Sequence, residues 1–127
     1  MPFRVRDEAG QTTVELALCL PVVVFVVVAV IEIGLIVADQ VRLWHAAREA
    51  ARQAVVDDDT GAAMEAARRA GFDSLDVTLD PESNYRQQGE PLTVKIVYDR
   101  PGAMPLIGRL FEHIELESTA TMRIERP

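Results

Sequence analysis

Cysteine occurs once in the 127 residues, at Cys19. One thiol cannot close a disulfide within the chain, and the redox compartment stays open. Histidine occurs twice, as His45 and His113, and neither has a Cys or His at metal-ligand spacing, so no zinc site is expected. The seven glycines are scattered and form no phosphate-cradling loop. Ser74, Ser83 and Ser118 sit in no nucleophile-elbow pattern. Lysine is nearly absent: Lys95 is the single one among 13 basic residues, against 20 acidic ones. The net charge of −7 lacks the basic footprint that nucleic acid requires. No catalytic residue, metal or cofactor follows from these residues, and the chain reads as non-enzymatic.

What is present is one long apolar run. No residue from Leu16 to Ile31 is charged; Glu32 interrupts, and the run resumes to Ala38. Leu16 to Ala38 spans roughly 34 Å as a helix, against about 30 Å of bilayer hydrocarbon. A single membrane-spanning helix over residues 11–38 is the reading, with membrane lipid as its surroundings; a buried helix of a soluble core is the alternative. The run exceeds the apolar region of a secretory signal and lacks a clean A-x-A site after it. Leu18 before Cys19, with the apolar run continuing beyond, argues against lipidation. Pro21 removes a helical donor and is expected to bend the span near the carbonyl of Ala17. Arg4 and Arg6 on one side, and Arg42, Arg48 and Arg52 on the other, leave the orientation open.

Asp39 to Val56 has no Gly or Pro and much Ala, so the helix is expected to run on to Val56. Val41, Trp44, Ala47, Ala51 and Val55 fall on one face at helical spacing and form the expected packing stripe. Trp44 can plug a sheet or anchor at the membrane interface. Asp39–Arg42 and Glu49–Arg52 are spaced for weak ion pairs. Asp57, Asp58 and Asp59 end this helix and favour the start of the next, Thr60 to Ala70, which Gly71 stops. Three alternating runs follow, Leu75–Asp80, Leu92–Asp99 and Ile114–Glu125, the last with the strongest period-two pattern. Residues 81–91 and 100–109 read as loops, with a helical turn at Ile107–Phe111.

Gly10 followed by Glu15 at the lip of an apolar helix resembles the processing site of type IV prepilin-like proteins. With Glu15 to Pro21 (E-x-x-x-x-x-P), Glu32 to Gly34 (E-I-G), and Ala46 to Arg52 (AAREAAR), the chain resembles the TadE-like family, pseudopilins of tight-adherence (Flp-type) pilus systems. The likeness is densest over residues 10–55 and returns in Ser118 to Glu125. Leu16 stands where major Flp pilins carry an aromatic, and a sizeable domain follows the span, so the likeness is not to the major pilin. The resemblance implies cleavage between Gly10 and Gln11 by a prepilin peptidase. It also implies a cytoplasmic N-terminus, a bacterial inner-membrane location, and partners among other pilins or pseudopilins and the assembly platform.

These readings combine into an α+β chain with a leader at 1–10, a span at 11–38 and an extracytoplasmic domain at 39–127. The long helix continues as an amphipathic helix on a small three-stranded antiparallel sheet, the pilin-like plan. Glu15 and Glu32 are the costly residues of the span. They are 17 positions apart, roughly 25 Å along the axis, too far to act as a catalytic pair. For Glu15 the resemblance implies a ligand for the amine of a processed neighbour, against the plainer reading of an interfacial flank, and Glu32 is expected to reach the interface or a partner. The main alternative is an unprocessed single-span anchor displaying an interaction domain.

Overall fold

The computed structural model describes residues 8–57, 59–102 and 114–125. The expected leader up to residue 7, most of the loop at 100–109 and the helical turn at Ile107–Phe111 lie outside them, as does His113. The chain divides into two compact units, Met1–Gly34 and Leu35–Pro127. Helix α1, Glu8–Val56, contributes to both, and continues through Pro21. It starts three residues before the expected span at 11–38.

In the first unit the helix is apolar and exposed: Leu16, Leu18, Val22, Phe25, Val26 and Val30 all present large surfaces. Exposed Val and Leu on every side of a helix are what a lipid-facing segment requires, since each would be costly in water. Glu32 is the exception and is fully buried.

The second unit is an α+β body. After α1 come α2, Thr60–Arg68, then β1, Asp76–Asp80, a short 3-10 turn at Ser83–Tyr85, β2, Pro91–Arg100, and β3, Ile114–Arg123. The strands form one antiparallel sheet in the order β1-β2-β3. Alternation sets its faces. Leu79, Leu92, Val94, Ile96, Leu116 and Ala120 turn inward, while Thr78, Lys95, Glu117, Thr119 and Thr121 stay on the open face. On that open face Lys95 meets Glu117 at 2.9 Å, and the hydroxyls of Thr93 and Thr121 lie 3.1 Å apart. β3 ends two residues short of the expected Glu125, yet Ile124 still exchanges backbone bonds with Glu90 and Gly89, each 2.9 Å.

The apolar face of the sheet is covered by α1 from Leu43 onward and by α2. Leu43, Ala46, Ala47, Ala50, Ala51 and Ala54 join Ala63 and Ala67 in one core with the sheet. The packing stripe therefore differs from the expected one. Ala47 and Ala51 are fully buried and Val55 is partly so, but Val41 is 51% exposed and Trp44 is 42% exposed. Leu43 fills the place assigned to Trp44, a turn of the face by one residue, about 100°. The physical reason is volume. Leu92, Val94 and Ile96 already fill the sheet side, so close-packed interiors leave room there for alanines and one leucine, not an indole.

Polar contacts fasten the second unit. Asp59 caps the N-terminus of α2: it accepts from the Gly61 amide at 2.9 Å, and its own amide donates to Asp57 Oδ1 at 3.0 Å. α2 stops two residues before the expected Ala70, and Gly71, at φ +88°, takes the left-handed turn after it. Arg86 donates from Nη1 to the Ala54 carbonyl at 3.1 Å. A cation there satisfies one of the carbonyls left open in the last turn of α1. Asp39 lies 3.8 Å from Arg42, as its spacing suggests, but its shorter bond, 2.8 Å, is to Arg100 of β2. Among the described residues Glu49 and Arg52 form no ion pair.

Candidate processing and assembly site

Gly10, Gln11 and Glu15 lie on the first turns of α1, all exposed. Helical geometry brings Gln11 and Glu15 together, because residues four apart share a face. Gln11 donates from Nε2 to Glu15 Oε1 at 3.2 Å. This long, exposed bond from a neutral amide leaves the second carboxylate oxygen open to a stronger donor.

Gly10 has a different character. A β-carbon built there meets no atom of the described residues within 4 Å. Its φ is not in the left-handed region. Neither close packing nor backbone conformation calls for glycine, and glycine inside a helix is about 1 kcal/mol less favourable than alanine.

Over residues 16–38 the helix is long and apolar enough to cross a membrane and is mostly exposed, a candidate span consistent with a single-pass membrane protein. Glu15 and Glu32 bracket much of it and stand in opposite environments, Glu15 exposed and Glu32 buried. The structure does not bring them together. Cys19 is exposed on the apolar stretch. Among the described residues no three His, Cys, Asp or Glu side chains converge as a metal site would need.

Two features of this region escape sequence pattern alone. Glu32 stands out in the sequence as a costly carboxylate expected to reach the interface or a partner, but its burial has no local signal. The Gln11–Glu15 bond is visible only as an i, i+4 spacing, which many exposed pairs share.

Residues 10–52 match the family model described as TadE-like protein. The match covers the segment that holds Gly10, Glu15, Pro21, Glu32 and the Ala46–Arg52 run; the likeness noted over Ser118–Glu125 lies beyond it. The family suggests a Tad pilus-associated membrane protein, structural in kind, that works beside other pilus components. No curated protein and no solved structure matches the chain.

Proposed function

We propose that this TadE-like chain is a non-enzymatic pseudopilin, a minor pilin-like subunit of a tight-adherence pilus or related secretion system, matured by a prepilin peptidase between Gly10 and Gln11. The observation that carries the reading is Gly10 itself, a helical glycine that nothing among the described residues requires. A peptidase that must bring the backbone close has a use for the missing side chain. Glu15 is then the fifth residue of the mature chain, exposed at the lip of the apolar helix.

In this reading the apolar helix stores the subunit in the bacterial inner membrane, with the N-terminus cytoplasmic and residues 39–127 extracytoplasmic. Cleavage frees an amine on Gln11. Glu15 pairs with that amine on a neighbouring subunit, and the pairing aligns the helices as the assembly platform extracts them. Glu32 has the second, weaker claim to assembly: its burial fits a role inside the protomer better than one on an open surface. The intact mass of the protein from its native host tests the proposal. A mass lacking residues 1–10 is expected. Retention of those residues in a pilus-forming host overturns processing and leaves an unprocessed single-span anchor with an extracytoplasmic interaction domain.

A further inference from the structure

β3 is an edge strand with one side unpaired among the described residues. In an antiparallel ladder, backbone groups point alternately toward and away from the neighbouring strand. Ile124 bonds toward the β2 side. Counting back by twos, Leu116, Ser118, Ala120 and Met122 do the same, so the amides and carbonyls of Glu117, Thr119 and Thr121 point outward. The outward carbonyl of Glu117 accepts from Gln40 Nε2 of α1 at 2.9 Å. One end of the edge is thus closed by a helix side chain.

Beyond that closure the edge opens into a groove of about 660 Å³. Thr119 to Met122 form one wall. Trp44, His45, Arg48, Glu49 and Arg52 of α1 form the other. This wall is the face of α1 turned away from the core, and its chemistry is specific. Arg48 sits over the Trp44 ring, its guanidinium carbon 3.8 Å from the ring centre. Arg48 and Arg52 are exposed and, among the described residues, neither is in an ion pair. Glu49 is the one carboxylate on the wall. On a chain of net charge −7, the groove is a local cationic strip beside an open strand edge.

We infer that this groove takes an extended, acidic segment of a partner protein as a fourth strand, paired to Thr119 and Thr121 with its acidic side chains on Arg48 and Arg52. An added strand gains main-chain hydrogen bonds from the edge, and alternate side chains on one face set the specificity. A strand that pairs with β3 turns every second side chain toward α1, where Arg48 and Arg52 lie one helical turn apart. Charge complementarity selects the occupant: the acidic surface elsewhere repels a carboxylate-bearing segment, and the strip attracts it. The inference goes beyond the pseudopilin reading and is independent of whether residues 1–10 are removed.

Trp44 is the single tryptophan, so the groove carries its own reporter. The full chain in detergent micelles is titrated with a capped peptide of about six residues, the usual strand length, alternating threonine and glutamate. Saturable blue-shifted Trp44 emission is expected, weakened by salt. A threonine–lysine peptide should not produce it. The double variant Arg48→Glu with Arg52→Glu should weaken binding by about tenfold or more, the equivalent of roughly 1.4 kcal/mol. Thr121→Pro deletes an outward amide, which an edge strand tolerates, together with the hydroxyl that meets Thr93, and should abolish binding; Thr121→Val loses the hydroxyl alone, keeps the amide and should bind as the wild type does. No saturation below about 1 mM peptide overturns the inference. So does equal binding of the lysine peptide. Undiminished binding by Thr121→Pro reduces the groove to a site for anions in general, lipid headgroups included, and overturns strand pairing.

Discussion

Arg100 donates from Nε to Asp39 Oδ2 at 2.8 Å, and this bond ties the end of β2 to α1 within the second unit. The Arg100 side chain is 5% exposed and that of Asp39 22%. Removing the carboxylate breaks a largely buried ion pair, a change that typically costs about 3–5 kcal/mol when one partner is deleted. Asp39→Ala is expected near the lower end, because Asp39 keeps some contact with water. Denaturant unfolding of the detergent-solubilised chain, followed by Trp44 fluorescence, measures it. A loss under about 1 kcal/mol would mean the pair behaves as a surface ion pair.

Leu43 and Trp44 are neighbours in sequence with opposite fates. Leu43 is fully buried, so Leu43→Ala should destabilise the body by about 2–5 kcal/mol. Trp44→Ala removes a half-exposed ring and should cost about 1 kcal/mol or less. Circular dichroism through a denaturant series compares the two without needing the indole. The reverse order of the two losses would restore Trp44 as the plug of the sheet.

The pKa of the Tyr98 phenol is raised above its ordinary value, first by burial and then by the negative charge of Asp39, with Arg100 opposing and Asp73 and Asp99 adding to the rise. Tyr98 also packs on Phe72, ring centres 4.5 Å apart. The unfolded chain releases this proton from about pH 10; the native chain holds it higher. Above pH 10 the unfolded state therefore binds fewer protons than the native state, and stability falls as pH rises toward the native pKa. Tyr98→Phe keeps the ring and cannot ionise. Its unfolding free energy should fall less steeply than that of the wild type above pH 10 and run parallel to it below. Parallel curves throughout would mean Tyr98 titrates alike in both states.

Much of this fold is legible in the sequence because its signals are periodic. The alternation in Val94, Ile96 and Tyr98 and in Leu116, Ser118 and Ala120 sets the sheet faces without any tertiary information. The break at Asp57–Asp59 and the stop at Gly71 are local chemistry. The helix stripe is not local in this way. Val41–Trp44–Ala47–Ala51–Val55 and Leu43–Ala46–Ala47–Ala50–Ala51–Ala54 are both valid helical stripes, and they share Ala47 and Ala51. Hydrophobicity favours the first. What decides for the second is how much volume the sheet already fills, a quantity absent from the helix's own sequence. The groove beside β3 is hidden for the same reason: Trp44, Arg48 and Thr121 become neighbours only once the stripe has turned.

Within α1 the exposed run from Val14 to Val37 should govern extraction. The full chain is expected in the membrane fraction and released only by detergent, since so much apolar surface carries a large transfer cost in water. Fractionation of the native host measures this. Monomeric protein in the detergent-free soluble fraction would contradict a span.

Gly10 and Glu15, five positions apart on one helix, should fail at different stages. A β-carbon at Gly10 meets nothing within 4 Å among the described residues, so Gly10→Leu should fold and insert normally and lose only cleavage, leaving the precursor in the membrane. Glu15→Val removes the acceptor of the Gln11 bond, an exposed contact of little worth to stability, and extends the apolar run. It should insert at least as well as the wild type, since a carboxylate in a span costs up to about 2.5–3.5 kcal/mol at the bilayer centre. It should also remain open to cleavage. What it lacks is a partner for the amine that cleavage creates, so it should not co-assemble. Expression of both variants with the cognate peptidase, followed by intact mass and recovery in sheared pilus material, separates the two stages. Wild-type assembly of Glu15→Val would reduce Glu15 to an interfacial flank of the span, and wild-type cleavage of Gly10→Leu would remove the peptidase's claim on that glycine.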